Sequence, residues 1–208
     1  MDYRRTKYCP KFEDITRKKH ELNDEILKDH PRAKDMHNYI SNNKNKYKLK
    51  FIKIYNGKCA YCGASIDLIQ KEFFEIDHFI NEKASCFNSK KDAGYIDNLI
   101  LACHSCNHNK SSFLVEKKAF EYLFPDNEKI QSTFIRTDDY YIKINEKYLR
   151  NNNIREFYIK LNLGAELHRL DYLLLNIGGL QKKYKSNREL YYELGQIKDA
   201  LRIKRNIV

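Results

Sequence analysis

The chain of 208 residues contains no tryptophan, 3 prolines and 7 glycines. So few breakers exclude a collagen-like or low-complexity polypeptide, and they predict much regular structure joined by few long linkers. Long apolar runs are missing too. The longest, around Leu173-Leu174-Leu175, falls far short of the roughly 20 residues that span a bilayer. The opening MDYRRTKYCP lacks the apolar stretch that a secretory signal requires. The expected setting is therefore the cytoplasm, with no membrane association. Acidic side chains are in deficit, 28 Asp and Glu against 39 Lys and Arg, for a net charge of +11. That balance favours an anionic partner, nucleic acid first.

What is present is a globular composition, 42% apolar, with 16 Tyr and 11 Phe. Its length predicts one domain, or one small domain with helical extensions. Charge is uneven along the chain. Residues 1–58 carry 16 Lys/Arg against 8 Asp/Glu, residues 59–113 carry 5 against 7, and residues 114–208 carry 18 against 13. A mildly acidic centre between basic flanks is what a cation site gripping a phosphate backbone would show. The plainer alternative is solvated helix faces.

Of 6 cysteines, Cys9 and Cys86 have no partner by spacing. The others form two Cys-x-x-Cys pairs, Cys59/Cys62 and Cys103/Cys106. In a reducing compartment such pairs hold metal rather than form disulfides. Each pair sets two thiolates on one turn, and two pairs complete a tetrahedral Zn²⁺ site. A full set of protein ligands leaves no open position, so the zinc is structural. The stretch between Cys62 and Cys103 exceeds that of a simple zinc ribbon and predicts an inserted functional element.

Within it, FFEIDHF alternates, with Phe74, Ile76 and His78 on one side and Glu75 and Asp77 on the other. The pattern predicts a strand whose end places Asp77 and His78 at a cleft. A long polar loop follows over 81–97, then a returning strand over 98–102. A helix starting near Cys106 and running towards Lys118 carries Asn107. Asp and Asn oxygens suit Mg²⁺ or Mn²⁺, and a histidine near its neutral pKa suits a general base. Together they could hydrolyse a phosphodiester. Glu75 reads as an ordinary strand carboxylate. His104 and His108 become ligands only if the helix is rotated.

Upstream, residues 1–12 read as an irregular arm and 13–30 as an amphipathic helix. Asn42-Asn43 and the lysines around them read as a loop. Tyr47, Phe51, Ile54 and Tyr55 share a helical face that Asn56-Gly57 ends. Downstream, Ile130–Asn145 reads as a β-hairpin. Helices follow over 154–180, broken near Gly164, with Leu167, Leu170, Leu174 and Ile177 as a core stripe and His168 as a satisfied polar residue. Ser186-x-x-Glu189 forms a capping box for a last helix, with Leu190, Leu194, Ile197 and Leu201 on one face.

The order C-x-x-C, E-x-D-H, N-L, C-x-x-C-N-x-x-K resembles the HNH endonucleases over residues 57–113. Asp77-His78 matches the first element, Asn98 the middle one and Asn107 the last, a His-Asn-Asn variant. The resemblance implies an α+β chain: a ββα-metal core at 57–118 stapled by the four-cysteine zinc site, between a basic helical region at 1–56 and a hairpin-then-helices region at 119–208. It implies a DNA endonuclease with His78 as general base. Asp77 and Asn107 would hold a Mg²⁺ or Mn²⁺ ion on the scissile phosphate, Asn98 would orient the loop, and Lys110 would face phosphate. The layout is similar to HNH nucleases of bacterial anti-phage defence, the Septu-type subunit that works with an ATPase among them; restriction or homing nucleases are the other homes for such a core. Two other readings stand beside it: a zinc module that binds nucleic acid or a partner without cutting, and a nuclease subunit active only in a complex. One such site cuts one strand per engagement, so a double-strand break needs a homodimer or two visits.

Overall fold

The computed structural model describes residues 2–42 and 46–207. The fold is α+β, with helices outnumbering two small antiparallel sheets among the described residues. Helix α1 (Ile15–Asp29) turns Ile15, Leu22 and Ile26 inward. Helix α2 (Met36–Ile40) is capped by the Asp35 carboxylate on the Asn38 amide. Helix α3 (Lys46–Ile54) buries Tyr47, Phe51, Ile52 and Ile54. It stops where Asn56 and Gly57 take left-handed φ of 52° and 66°. Part of the loop expected around Asn43 lies outside the described residues.

Strands β1 (Phe74–His78) and β2 (Leu99–Cys103) pair antiparallel, with Asp77 opposite Ile100 and His78 opposite Leu99. All of β2 is buried. The connection between them is ordered by short 3₁₀ turns at Lys90–Gly94 and Ile96–Asn98. Helix α4 (His104–Lys110) follows β2 directly. It starts two residues before Cys106 and ends at Lys110, not near Lys118, because Ser111 breaks it with φ 48°.

The segment 130–145 is a hairpin only in part. Helices α5 (Phe120–Leu123) and α6 (Ile130–Thr133) precede strands β3 (Phe134–Arg136) and β4 (Ile142–Ile144). Helix α7 (Asn152–Lys160) and the long helices α8 (Glu166–Lys183) and α9 (Arg188–Arg205) complete the chain. The cap of α9 is Asn187, whose side chain accepts from the Leu190 amide, and not Ser186. Of the expected α8 stripe, Leu170 and Leu174 are buried, and His168 and Asp171 join them on the inner face.

One continuous apolar cluster takes in side chains from Tyr3 to Leu163, including Phe51, Tyr55, Phe74, Phe79, Phe134 and Phe157. Each buried aromatic contributes about 1.5–3 kcal/mol. The first residues are not a loose arm. Tyr3 donates to the Tyr61 carbonyl at 2.6 Å, and Arg4 donates to the carbonyls of Ala60 and Pro125, both at 2.8 Å. Gly63, at φ 82°, lies so close to this strap that a Cβ would sit 2.4 Å from the Arg4 carbonyl oxygen. The polar composition of residues 1–12 hid this, because Arg4 is buried by satisfying carbonyls rather than by being apolar.

Candidate functional site

The two cysteine pairs converge. Cys59 and Cys62 come from the turn after α3, Cys103 ends β2, and Cys106 lies in the first turn of α4. Their four sulfurs lie within 4.8 Å of one another, all buried. The Cys62 and Cys103 sulfurs are 3.8 Å apart. A tetrahedral ion with metal–sulfur bonds of about 2.3 Å has sulfur–sulfur edges of roughly 3.8 Å. The cluster therefore fits a metal ion in both ligand type and size. Cys9 and Cys86 are not part of it.

The clamp sets α4 alongside β1. Two strand residues advance about 6.6 Å and one helical turn about 5.4 Å, so successive inward residues of β1 meet successive turns of the helix. Glu75 meets the first turns: the His104 Nδ1 donates to its Oε1 at 2.7 Å, and the Asn107 carboxamide donates to its Oε2. The His108 ring stacks near that of His104, 5.7 Å between centroids. Asp77 meets the last turn. Its oxygens accept from the Lys110 ammonium at 3.0 Å and from the Tyr61 hydroxyl at 2.5 Å. Lys110 also donates to the His78 carbonyl at 2.8 Å. Burial pushes the Asp77 carboxyl up, and Lys110 and Tyr61 pull it back.

Asp77 and Asn107 thus belong to adjoining polar groups on the same side of β1, each engaged by a different partner. Lys110 is the residue that the resemblance sets facing phosphate. Its side chain is fully buried, because the turn that follows Asn107 points at Asp77 rather than at solvent.

His78 ends β1 and is mostly buried, 12% exposed at the side chain. Its ring stacks on His37 of α2, with centroids 4.3 Å apart and planes 28° apart. His37 Nε2 donates to the Ile76 carbonyl at 3.0 Å, which ties α2 to the strand carrying His78. His78 Nε2 is buried without a partner, and Nδ1 stands 4.0 Å from Glu82. Burial, helped by His37, lowers the His78 pKa to about 4, so the ring is neutral at physiological pH.

Asn98 fixes the turn that leaves His78. Its Oδ1 accepts from the Ile80 amide at 2.8 Å, and its Nδ2 donates to the carbonyls of Ile80 at 3.0 Å and Ala93 at 2.9 Å. His168 lies apart from this site, buried on α8, with burial lowering its pKa.

Sequence reasoning missed Tyr61, His37 and the partnership of Glu75. Tyr61 was legible only as the middle of a knuckle. His37 had no motif around it, since the contact joins residues 41 positions apart.

Two paired strands, a helix held by four clustered thiols, and an Asp-His step at the strand end make up a ββα core. Residues 59–113 match the family described as HNH endonuclease, so this stretch is an HNH domain within a longer chain. Over 87 residues the chain is 31% identical to Septu protein PtuB of Bacillus mycoides (strain KBAB4), a match taking in 36% of this chain and 29% of that relative. The chain spans under a third of the relative it matches. No solved structure matches. No described helix is long and apolar enough to cross a membrane.

Proposed function

We propose that the chain is a metal-dependent endonuclease that hydrolyses DNA phosphodiester bonds, acting in the cytoplasm in bacterial defence. The observation that carries this reading is the His78 imidazole, held at the end of β1 by a ring stack with its Nε2 free of any partner among the described residues, while Asn98 fixes the turn beyond it. A neutral imidazole can take a proton from water attacking phosphorus. The defence role rests on the layout and on the likeness to Septu protein PtuB. The working organisation is a basic helical region at 1–56, the nuclease core at 57–118, and a hairpin with helices at 119–208.

The four thiols would hold one structural Zn²⁺ and keep α4 against the strands. The donor set on β1 and α4, Glu75, Asp77 and Asn107, offers oxygen atoms suited to Mg²⁺ or Mn²⁺. Asp77 and Asn107 would hold such an ion, which would supply positive charge to the scissile phosphate and leaving oxygen. His78 accepts the water proton, and Asn98 keeps the loop in register.

A second reading is favoured by one observation. Asp77 is closed off by Lys110 and Tyr61, so a cation reaches it only when that pair opens. A nuclease subunit switched on by a partner, an ATPase subunit or a second copy, would behave in this way.

The test is incubation with end-labelled DNA and RNA in Mg²⁺ or Mn²⁺, alone and with an ATPase subunit added. The proposal expects DNA products with 5′-phosphate and 3′-hydroxyl ends. No cleavage under any condition, with one zinc bound per chain, would leave only a binding module.

A further inference from the structure

The basic N-terminal region is one candidate for a DNA-binding face, but several of its cations are already paired with carboxylates. Arg17 pairs with Asp14 and Glu21, Lys19 with Asp126, Lys46 with Glu25 and Asp29, and Lys50 with Glu25. The opposite holds at the tip of the α8–α9 hairpin. There the sequence reads KKYKSNR over 182–188, four cations without an acid. Lys182, Lys183, Lys185 and Arg188 are all exposed. Among the described residues none of them pairs with a carboxylate. Lys183 instead lies over the Tyr184 ring at 5.1 Å.

Helix energetics account for part of this cluster only. Lys182 and Lys183 sit in the last turn of α8, where cations suit the helix dipole. Lys185 lies in the turn and caps nothing. Arg188 opens α9, the end at which a cation opposes the dipole. The positive strip continues down the hairpin. Lys182, Lys198 and Arg202 line one cavity of about 210 Å³ with Tyr8, and Asp67 is its only acid.

The hairpin is also placed to matter for the site. Its root borders α4: Leu167, His168, Asp171 and Arg205 share a small cavity with Cys103 and His104. Arg205 and Asp171, 2.5 Å apart, and Lys204 and Glu166, 3.0 Å apart, hold that root together. An α-helix of the length of α8 carries its far end roughly 27 Å away.

We propose that the tip of the α8–α9 hairpin is a second anchor on DNA, binding backbone phosphate away from the bond that the HNH site addresses. The proposal rests on the nuclease reading for its partner. Phosphate contacts of this kind fix position and not sequence. They would make the protein favour duplexes long enough to reach both anchors.

The test uses the full chain with Lys182, Lys183, Lys185 and Arg188 all changed to Gln. Binding to a fluorescent 30-base-pair duplex is followed by anisotropy in a divalent-free buffer over a series of salt concentrations. Each phosphate contact contributes about 0.9 to the slope of log K against log salt. The variant is expected to lose roughly 2–4 from that slope and to bind at least about tenfold more weakly at 0.1 M salt. Its zinc content and thermal midpoint should match wild type, since the changed side chains are exposed. A control with Arg17, Lys46 and Lys50 changed to Gln should lose less than about 1 from the slope. An unchanged slope in the hairpin variant would overturn the proposal and assign the tip to an acidic protein partner. Failure of wild type to bind DNA at all would instead remove the nuclease reading on which it stands.

Discussion

Lys110 donates to Asp77 at 3.0 Å, and both side chains are withdrawn from water. The last cation of α4 is thereby locked onto Asp77, the residue before His78. Removing one partner of such a pair strands a buried charge and costs about 3–5 kcal/mol. Lys110→Met should therefore lower the unfolding free energy read from urea denaturation by that amount. The double variant Asp77→Asn/Lys110→Met should recover more than half of it, because no unpaired charge is left. Additive losses in the double variant would show that the two groups are not coupled.

His37 should act through His78 rather than on substrate. Loss of the ring in His37→Ala should lower kcat by about 10- to 100-fold through misplacement of the base, with little change in KM. His37→Phe keeps a ring to stack, and His37→Gln keeps a donor for the Ile76 carbonyl. Recovery in the Phe variant, and not in the Gln variant, would assign the effect to the stack. Steady-state cleavage kinetics read the outcome, and an unchanged kcat in His37→Ala would contradict it.

Asn98 uses both ends of its carboxamide within one buried turn. Asn98→Ala leaves an amide and two carbonyls without those partners, at a cost of about 1–3 kcal/mol. Asn98→Asp keeps the acceptor for the Ile80 amide and loses the donors. It should be destabilised as well, and chemical denaturation will rank the two variants.

Much of the core was legible in the sequence, and for physical reasons. Metal ligands come at fixed spacing, so Cys59, Cys62, Cys103 and Cys106 announced their cluster. Alternation gave β1, and the Asn56-Gly57 stop gave the end of α3. What stayed hidden depends on long-range satisfaction of polar groups. Lys110 reads as a surface cation until the helix is set against Asp77. Arg4 and Tyr3 read as a polar arm until Gly63 makes room for them. The helical turn of α6 was hidden by β-prone residues that tertiary packing overrode.

Glu166 ties the start of α8 to the end of α9. It accepts from the Tyr141 hydroxyl and pairs with Lys204 at 3.0 Å. The Tyr141 hydrogen bond, with Lys204, lowers its pKa to about 2. A carboxylate depressed in the folded state stabilises above its unfolded pKa of about 4.3, and that stability is lost as pH falls towards the folded value. The thermal midpoint of Glu166→Gln should therefore lie below wild type at pH 6, and the gap should narrow between pH 4 and pH 2. A gap that stays constant over that range would contradict the assignment.

The central claim is that His78 is the base of a DNA-cutting site. It is tested most directly by supercoiled plasmid with Mg²⁺ or Mn²⁺, comparing wild type with His78→Ala after zinc content and thermal midpoint have been shown to agree. The account predicts metal-dependent nicking or linearisation by wild type, reduced at least about 100-fold in the variant. Equal cutting by both proteins would contradict it.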